Sequence, residues 1–234
     1  MRESFFNLWG LFLGTIIGVL PIINPFAGAA TFVAITEGDT HARRLEQARR
    51  ACIYVALILT GALLCGSFVM NFFGISIPGL RIAGGIIVAG IGMKMVSPKT
   101  PAPRRDDPGH KAALAKNDVS FSPMAMPILS GPGSIAVTIG FASLATNWLD
   151  YGVIILGIVI SAFACYLVLR VTLRMNGLLG PNGLNALTQL MGFLIMCMGV
   201  QFIVNGVLKL LSEPEFINLL RAALAAGTGV GNAQ

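Results

Sequence analysis

Six stretches of this chain, near residues 5–36, 51–73, 75–96, 121–146, 151–171 and 187–209, run almost free of charge, with short polar segments between them. Each reaches or exceeds the roughly 20 apolar residues that a helix needs to cross a bilayer. The pattern therefore predicts an all-α polytopic membrane protein with six transmembrane helices. The first stretch is too long for one straight crossing: at 1.5 Å per residue it would extend about 48 Å, against ~30 Å of hydrocarbon. A break at Asn24-Pro25 accounts for the excess. Ala27-Gly28-Ala29 imitates a leader cleavage site, but Met1-Arg2-Glu3 is not a basic leader start, so the first span is expected to be retained.

A shift of 107 residues lays Asn24-Pro25-Phe26-Ala27 on Gly131-Pro132-Gly133-Ser134, and pairs Ala29 with Ala136 and Thr31 with Thr138. The same shift pairs Leu80 with Leu187, Gly85 with Gly192, Gly92 with Gly199, and Lys94 with Gln201. The middle spans depart from it, because the loop at 37–50 reads as longer than its counterpart at 147–150. Three spans per repeat is an odd number, so the second repeat must insert upside down, an arrangement found in secondary transporters. The predicted organisation is a first repeat over 1–96, a cytoplasmic linker rich in proline and charge over 97–119, an inverted second repeat over 120–211, and a flexible external tail over 212–234 with one short amphipathic turn near 216–226.

Proline removes a backbone donor and clashes with the preceding turn, so spans one and four are expected to break at Asn24-Pro25 and at Gly131-Pro132-Gly133. Lipid cannot satisfy the freed backbone groups, which must face a cavity or another helix. Each half-helix after a break opens with free N–H groups and a partial positive charge. Two such ends at the membrane midplane suit a carboxylate. The candidate substrate-binding residues are Asn24, Pro25, Thr31, Ser130, Gly131, Pro132, Gly133, Ser134 and Thr138. A pair of packing kinks is the competing reading.

Composition narrows the chemistry. Only 11% of residues are charged, and mean hydropathy is +0.79. All ten acids lie outside the apolar stretches, and the two histidines, His41 and His110, read as loop residues. No intramembrane base or metal set follows, so an enzyme is not expected, nor is a metal or other cofactor. A coupling Na+ or H+ would have to be held by carbonyls and hydroxyls, or by an edge acid such as Asp118 or Glu37. The net charge of +6 is an orientation signal, with no nucleic-acid partner implied: twelve of the sixteen Lys and Arg fall in the segments after spans one, three and five. That asymmetry places these segments in the cytoplasm and both termini outside. Arg81, at the outer start of span three, is a candidate gate or anion-steering residue, and Lys94 reads as snorkelling.

Cys52, Cys65, Cys165 and Cys197 read as buried apolar side chains without a pairing. Glycines at 10, 14 and 18 and at 84, 85, 90 and 92 make close-packing faces, within the monomer or as a homo-oligomer contact.

LPIINPFAGAATF at 20–32, FGISIPGLRIAGGIIVAGIG at 73–92, SPMAMPILSGPGSI at 122–135 and the glycine-spaced span at 187–206 resemble the MarC family of bacterial inner-membrane proteins. The resemblance implies six spans, an inner-membrane location, and kinship with amino-acid exporters of the LysE type. Where members have an assigned activity, it concerns small neutral amino acids such as glycine and alanine. The residues that carry over are Asn24, Pro25, Gly131, Pro132 and Gly133. The function expected is alternating-access transport of a small neutral amino acid. A non-transporting scaffold or partner subunit is the alternative, and a membrane thiol oxidoreductase a remote one, since no cysteine lies 107 residues from another.

Overall fold

The computed structural model describes residues 2–96, 118–174, 180–214 and 218, and the regular elements among them are helical. They are α1 (Arg2–Ile23), α2 (Pro25–Ile35), α3 (His41–Phe73), α4 (Ile77–Val96), a wide coil α5 (Ser120–Leu129), α6 (Pro132–Ala142), α7 (Trp148–Arg174) and α8 (Gly180–Leu211). Five candidate spans are long and apolar enough to cross a membrane, six if the bent pair α5–α6 counts as one. Residues 97–117 of the expected linker, His110 with them, and the expected turn at 216–226 apart from Asn218 lie outside the described residues.

Local chemistry sets the boundaries. Thr40 caps α3 by accepting from the Arg43 N–H at 3.4 Å, and Gly74, at φ 64°, closes its far end in the left-handed region that glycine enters without penalty. Within the first turns, Asp39–Arg43 and Glu46–Arg50 form ion pairs at four-residue spacing. Residues 41–50 are therefore helix, and His41 is the first residue of α3, which corrects the reading of a loop over 37–50. Hydropathy detects the apolar part of a helix and misses a polar first turn. The connections 36–40 and 143–147 are in fact equal in length, and α3 and α7 start 107 residues apart, as α2 and α6 do. The departure expected of the middle spans disappears at their starts. For the same reason α8 begins at Gly180, ahead of its apolar stretch.

α5 differs from the helix expected there. Pro123 and Pro127 disfavour the helical region for the residues before them, and Ser122 and Met126 are extended. The coil is held by wider bonds, Met124 N–H to Val119 O at 3.1 Å and Ser130 N–H to Ala125 O at 2.8 Å. It meets α6 at a bend of 67°.

The buried apolar side chains divide in two. The main core draws on α1, α2, α3, α5, α6 and α7, with Val19, Phe32, Leu59, Met124, Ile158 and Leu169 at its centre. The second is small: Ile22, Val88, Val137 and Ile195, one residue each from α1, α4, α6 and α8. Among the described residues, α4 and α8 contribute nothing to the buried part of the main core. They pack on each other through glycines: a Cβ on Gly85 would stand 2.6 Å from the Gly199 carbonyl oxygen, and one on Gly92 would stand 2.6 Å from that of Gly192. Backbone-to-backbone approach of this kind is what glycine permits in packed membrane helices.

Candidate functional site

The two proline-led helices start differently. At the first junction Asn24 is left-handed, with φ 51°, a conformation asparagine tolerates better than most residues. Its Oδ1 accepts from the Ala27 N–H at 3.3 Å, and its Nδ2 donates to the Met95 sulfur at 3.1 Å. Pro25 follows as the first helical residue, where its missing N–H costs nothing. The junction is buried and closed by its own side chain.

At the second junction Gly131 caps α6 with no side chain, and Pro132 is again the first helical residue. The amides of Gly133 and Ser134 then have no acceptor within their own helix. The Ser134 hydroxyl lies within hydrogen-bond reach of the carbonyls of Gly131, at 3.1 Å, and Leu129, at 3.3 Å, and shares its one proton between them. Ser130 is fully buried, and its hydroxyl has no hydrogen-bond partner. A buried polar group in that state costs about 1–3 kcal/mol unless something fills its valence.

Between the two junctions lies a cavity of ≈290 Å³, near the lower end of small-ligand sites, which run from about 300 Å³ upward. Asn24, Thr31, Gly131, Pro132, Gly133 and Ser134 line it, together with Ala27, Gly28 and the apolar Ile22, Ile23, Ile91, Met95, Pro127 and Ile128. Six of the nine expected site residues thus share one wall. The other three do not line it. Pro25 is buried behind the first junction, Ser130 lies under the second, and Thr138 is buried one turn further along α6, where it donates to the Ser134 carbonyl at 2.7 Å. Met95 was missed by sequence reasoning, which had no reason to distinguish a thioether beside a snorkelling lysine from core filler. Lys94 itself is exposed.

Arg81 is not in this cavity. It lines a second one, also ≈290 Å³, with Leu80, Gly84, Gly85, Ala136, Val137, Gly140, Phe141, Leu144, Phe202 and Asn205. Among the glycines read as close-packing faces, Gly14 and Gly18 lie against Phe141, while Gly10 and Gly90 face open space.

Cysteine was read as uniformly buried, and that is corrected: Cys65 and Cys197 are exposed on the outside of the bundle. Cys52 and Cys165, both buried, bring their thiols together across α3 and α7, a pairing that chain spacing did not suggest.

At the entry to α5, the Ser120 hydroxyl and N–H both donate to Asp118, and the Arg50 guanidinium lies 3.4 Å away. The hydroxyl bond first, then the backbone donor and the nearby cation, hold the Asp118 carboxyl below its ordinary value. Among the described residues no group of histidine, cysteine or acidic side chains is placed to hold a metal ion.

The family model that matches residues 9–211 is described as MarC family integral membrane protein. A protein named inner membrane protein MarC in Citrobacter koseri is 40% identical over 209 residues, 85% of this chain and 94% of its own length. The protein of that name in Salmonella typhimurium is 40% identical over the same shares, and that of Escherichia coli O1:K1 is 38% identical over 210 residues. No solved structure matches the chain.

Proposed function

The chain belongs to the MarC family of integral membrane proteins, and on that premise we propose that it is an inner-membrane secondary transporter of a small neutral amino acid such as alanine or glycine. The observation that carries this reading is the cavity shared by the starts of α2 and α6. The substrate carboxylate sits over the first turn of α6, where the amides of Gly133 and Ser134 point and the helix dipole favours an anion. Ile22, Ile91, Met95 and Ile128 crowd the rest of the cavity and select a short side chain. A coupling Na+ or H+ draws on the carbonyls and hydroxyls at the same junctions.

The contacts support an inverted repeat. The 107-residue shift maps the close pair Gly85–Gly199 onto Gly192–Gly92, which is the other close pair. It likewise maps α1 on α7 onto α5 on α3, α3 on α6 onto α7 on α2, and α4 on α6 onto α8 on α2, and each of these packings is present. An offset that exchanges observed contacts supports a two-fold relation between the halves. The bias of Lys and Arg toward the segments after spans one, three and five supports a cytoplasmic place for those segments, with both termini in the periplasm.

The test is reconstitution of the full chain in liposomes with labelled alanine or glycine, under sodium, proton and exchange conditions. Uptake above empty vesicles that Pro132→Leu abolishes, with membrane insertion intact, is the expected result. Uptake equal to empty vesicles in every condition sinks the reading.

A further inference from the structure

Cavities on either side of one apolar layer run along α4. The Arg81 cavity takes residues 80–85 of α4 and 136–141 of α6, with Leu144 just beyond that helix, whereas the α2–α6 cavity takes residues 91–95 of α4 and 132–134 of α6. Between them stand Val88, Val137, Ile22 and Ile195, all buried and packed as one cluster. The layer is tight: a Cβ on Gly133 would lie 3.1 Å from Ile91 and 3.3 Å from Val88. From Arg81 to Met95 is about 21 Å along the helix at 1.5 Å per residue, so both cavities and the layer fit within one membrane thickness.

The Arg81 cavity has a definite chemistry. Arg81 is half-buried, and among the described residues it has no carboxylate or hydrogen-bond partner. Asn205 is the other polar lining residue, and its Oδ1 already accepts from Gln201 at 2.9 Å. The remaining walls are glycine, alanine and larger apolar side chains. One guanidinium in an apolar pocket, with no acidic group among the described lining residues, favours an anion over an ammonium group.

We infer that the Arg81 cavity is a second binding site, for the carboxylate of a small monocarboxylate or amino acid, and that the Ile22–Val88–Val137–Ile195 layer is the closed gate between it and the α2–α6 cavity. The gate assignment rests on the transport reading above; the anion site does not. An amino acid enters this site carboxylate first, with its ammonium toward the mouth, and passes to the α6 first turn only when the layer parts.

The experiment starts from a full-length variant with all four native cysteines replaced by alanine, carrying Asn205→Cys in one cavity or Thr31→Cys in the other. In detergent, an anionic methanethiosulfonate should modify Asn205→Cys about fivefold faster than a cationic one of similar size, as attraction to a single partly desolvated charge gives. Arg81→Gln should remove that preference and Arg81→Lys keep it, with the ratio at Thr31→Cys unmoved by either. Propionate and alanine should slow modification of Asn205→Cys, and methylammonium should not. In sealed vesicles an impermeant reagent should reach the two cysteines from opposite faces. Equal rates for the two reagents, a preference that survives Arg81→Gln, or no protection by propionate overturns the anion site. Labelling of both cysteines from the same face overturns the gate. An Arg81-dependent preference in a protein that carries no labelled alanine keeps the anion site and sinks the transport reading, so the two failures are told apart.

Discussion

The junctions before α2 and α6 are built from the same device, a proline as the first residue of an 11-residue helix, and they end in opposite states. At the first, Asn24 spends one side-chain atom on the helix start and the other on Met95, and the chain bends by no more than 40°. At the second, glycine caps nothing, the chain turns by 67°, and a serine hydroxyl is left buried without a partner. The difference teaches that a helix start in a membrane protein stays open by omission: the side chain that would satisfy its amides is missing. The Asn24 junction satisfies its own first turn, and the Gly131 junction leaves its first-turn amides without a side-chain acceptor.

The largest effect is expected from giving the second junction the cap of the first. In Gly131→Asn the new amide accepts from the first turn of α6 and competes with the substrate, so alanine uptake should fall about tenfold or more, the equivalent of ~1.4 kcal/mol. Because a Cβ here approaches the Pro127 carbonyl at 3.1 Å, Gly131→Ala is the steric control. Uptake lost equally in both variants would break the comparison.

The reverse experiment removes the cap that exists. Asn24→Ala loses a capping bond, about 1 kcal/mol, and places alanine in a left-handed conformation that costs roughly 1–2 kcal/mol. Thermal unfolding in detergent should show the combined loss, and Asn24→Gly, which relieves the conformational part, should recover most of it. Ser130→Ala should act in the other sense. It removes an unsatisfied buried hydroxyl, so stability should hold or rise by up to ~1 kcal/mol. A plain loss of stability would show that Ser130 is structural.

The smallest effect concerns the approach to the bent junction. Asp118 has a lowered pKa, so its contribution is present above the ordinary carboxylate range and is lost as pH falls through the folded value. Asp118→Asn should flatten the acid limb of the unfolding temperature against pH. The change will be slight, since Asp118 and Arg50 are both well exposed.

Much of this was legible in the chain, because proline and glycine act locally. Pro25 and Pro132, each next to a residue that breaks the preceding helix, stand at helix starts as expected, whereas Pro21 sits inside α1. The helical character of residues 41–50 was not legible, since a polar first turn carries no hydropathy signal. Nor was the wide coil of α5, where Pro123 and Pro127 in a uniformly apolar stretch look like ordinary membrane residues. The meeting of Cys52 with Cys165, and the separation of Arg81 from the α2–α6 cavity, depend on which faces pack together, and hydropathy carries no such information.

The glycine seam between α4 and α8 has a mechanical meaning. Side chains act as bearings: they slide, change rotamer and absorb a shift of an ångström. Backbone pressed on backbone at Gly85–Gly199 and Gly92–Gly192 has no such play, so α4 and α8 form a weld rather than a hinge. None of their described side chains enters the buried part of the main core, so a displacement of either helix carries the other with it.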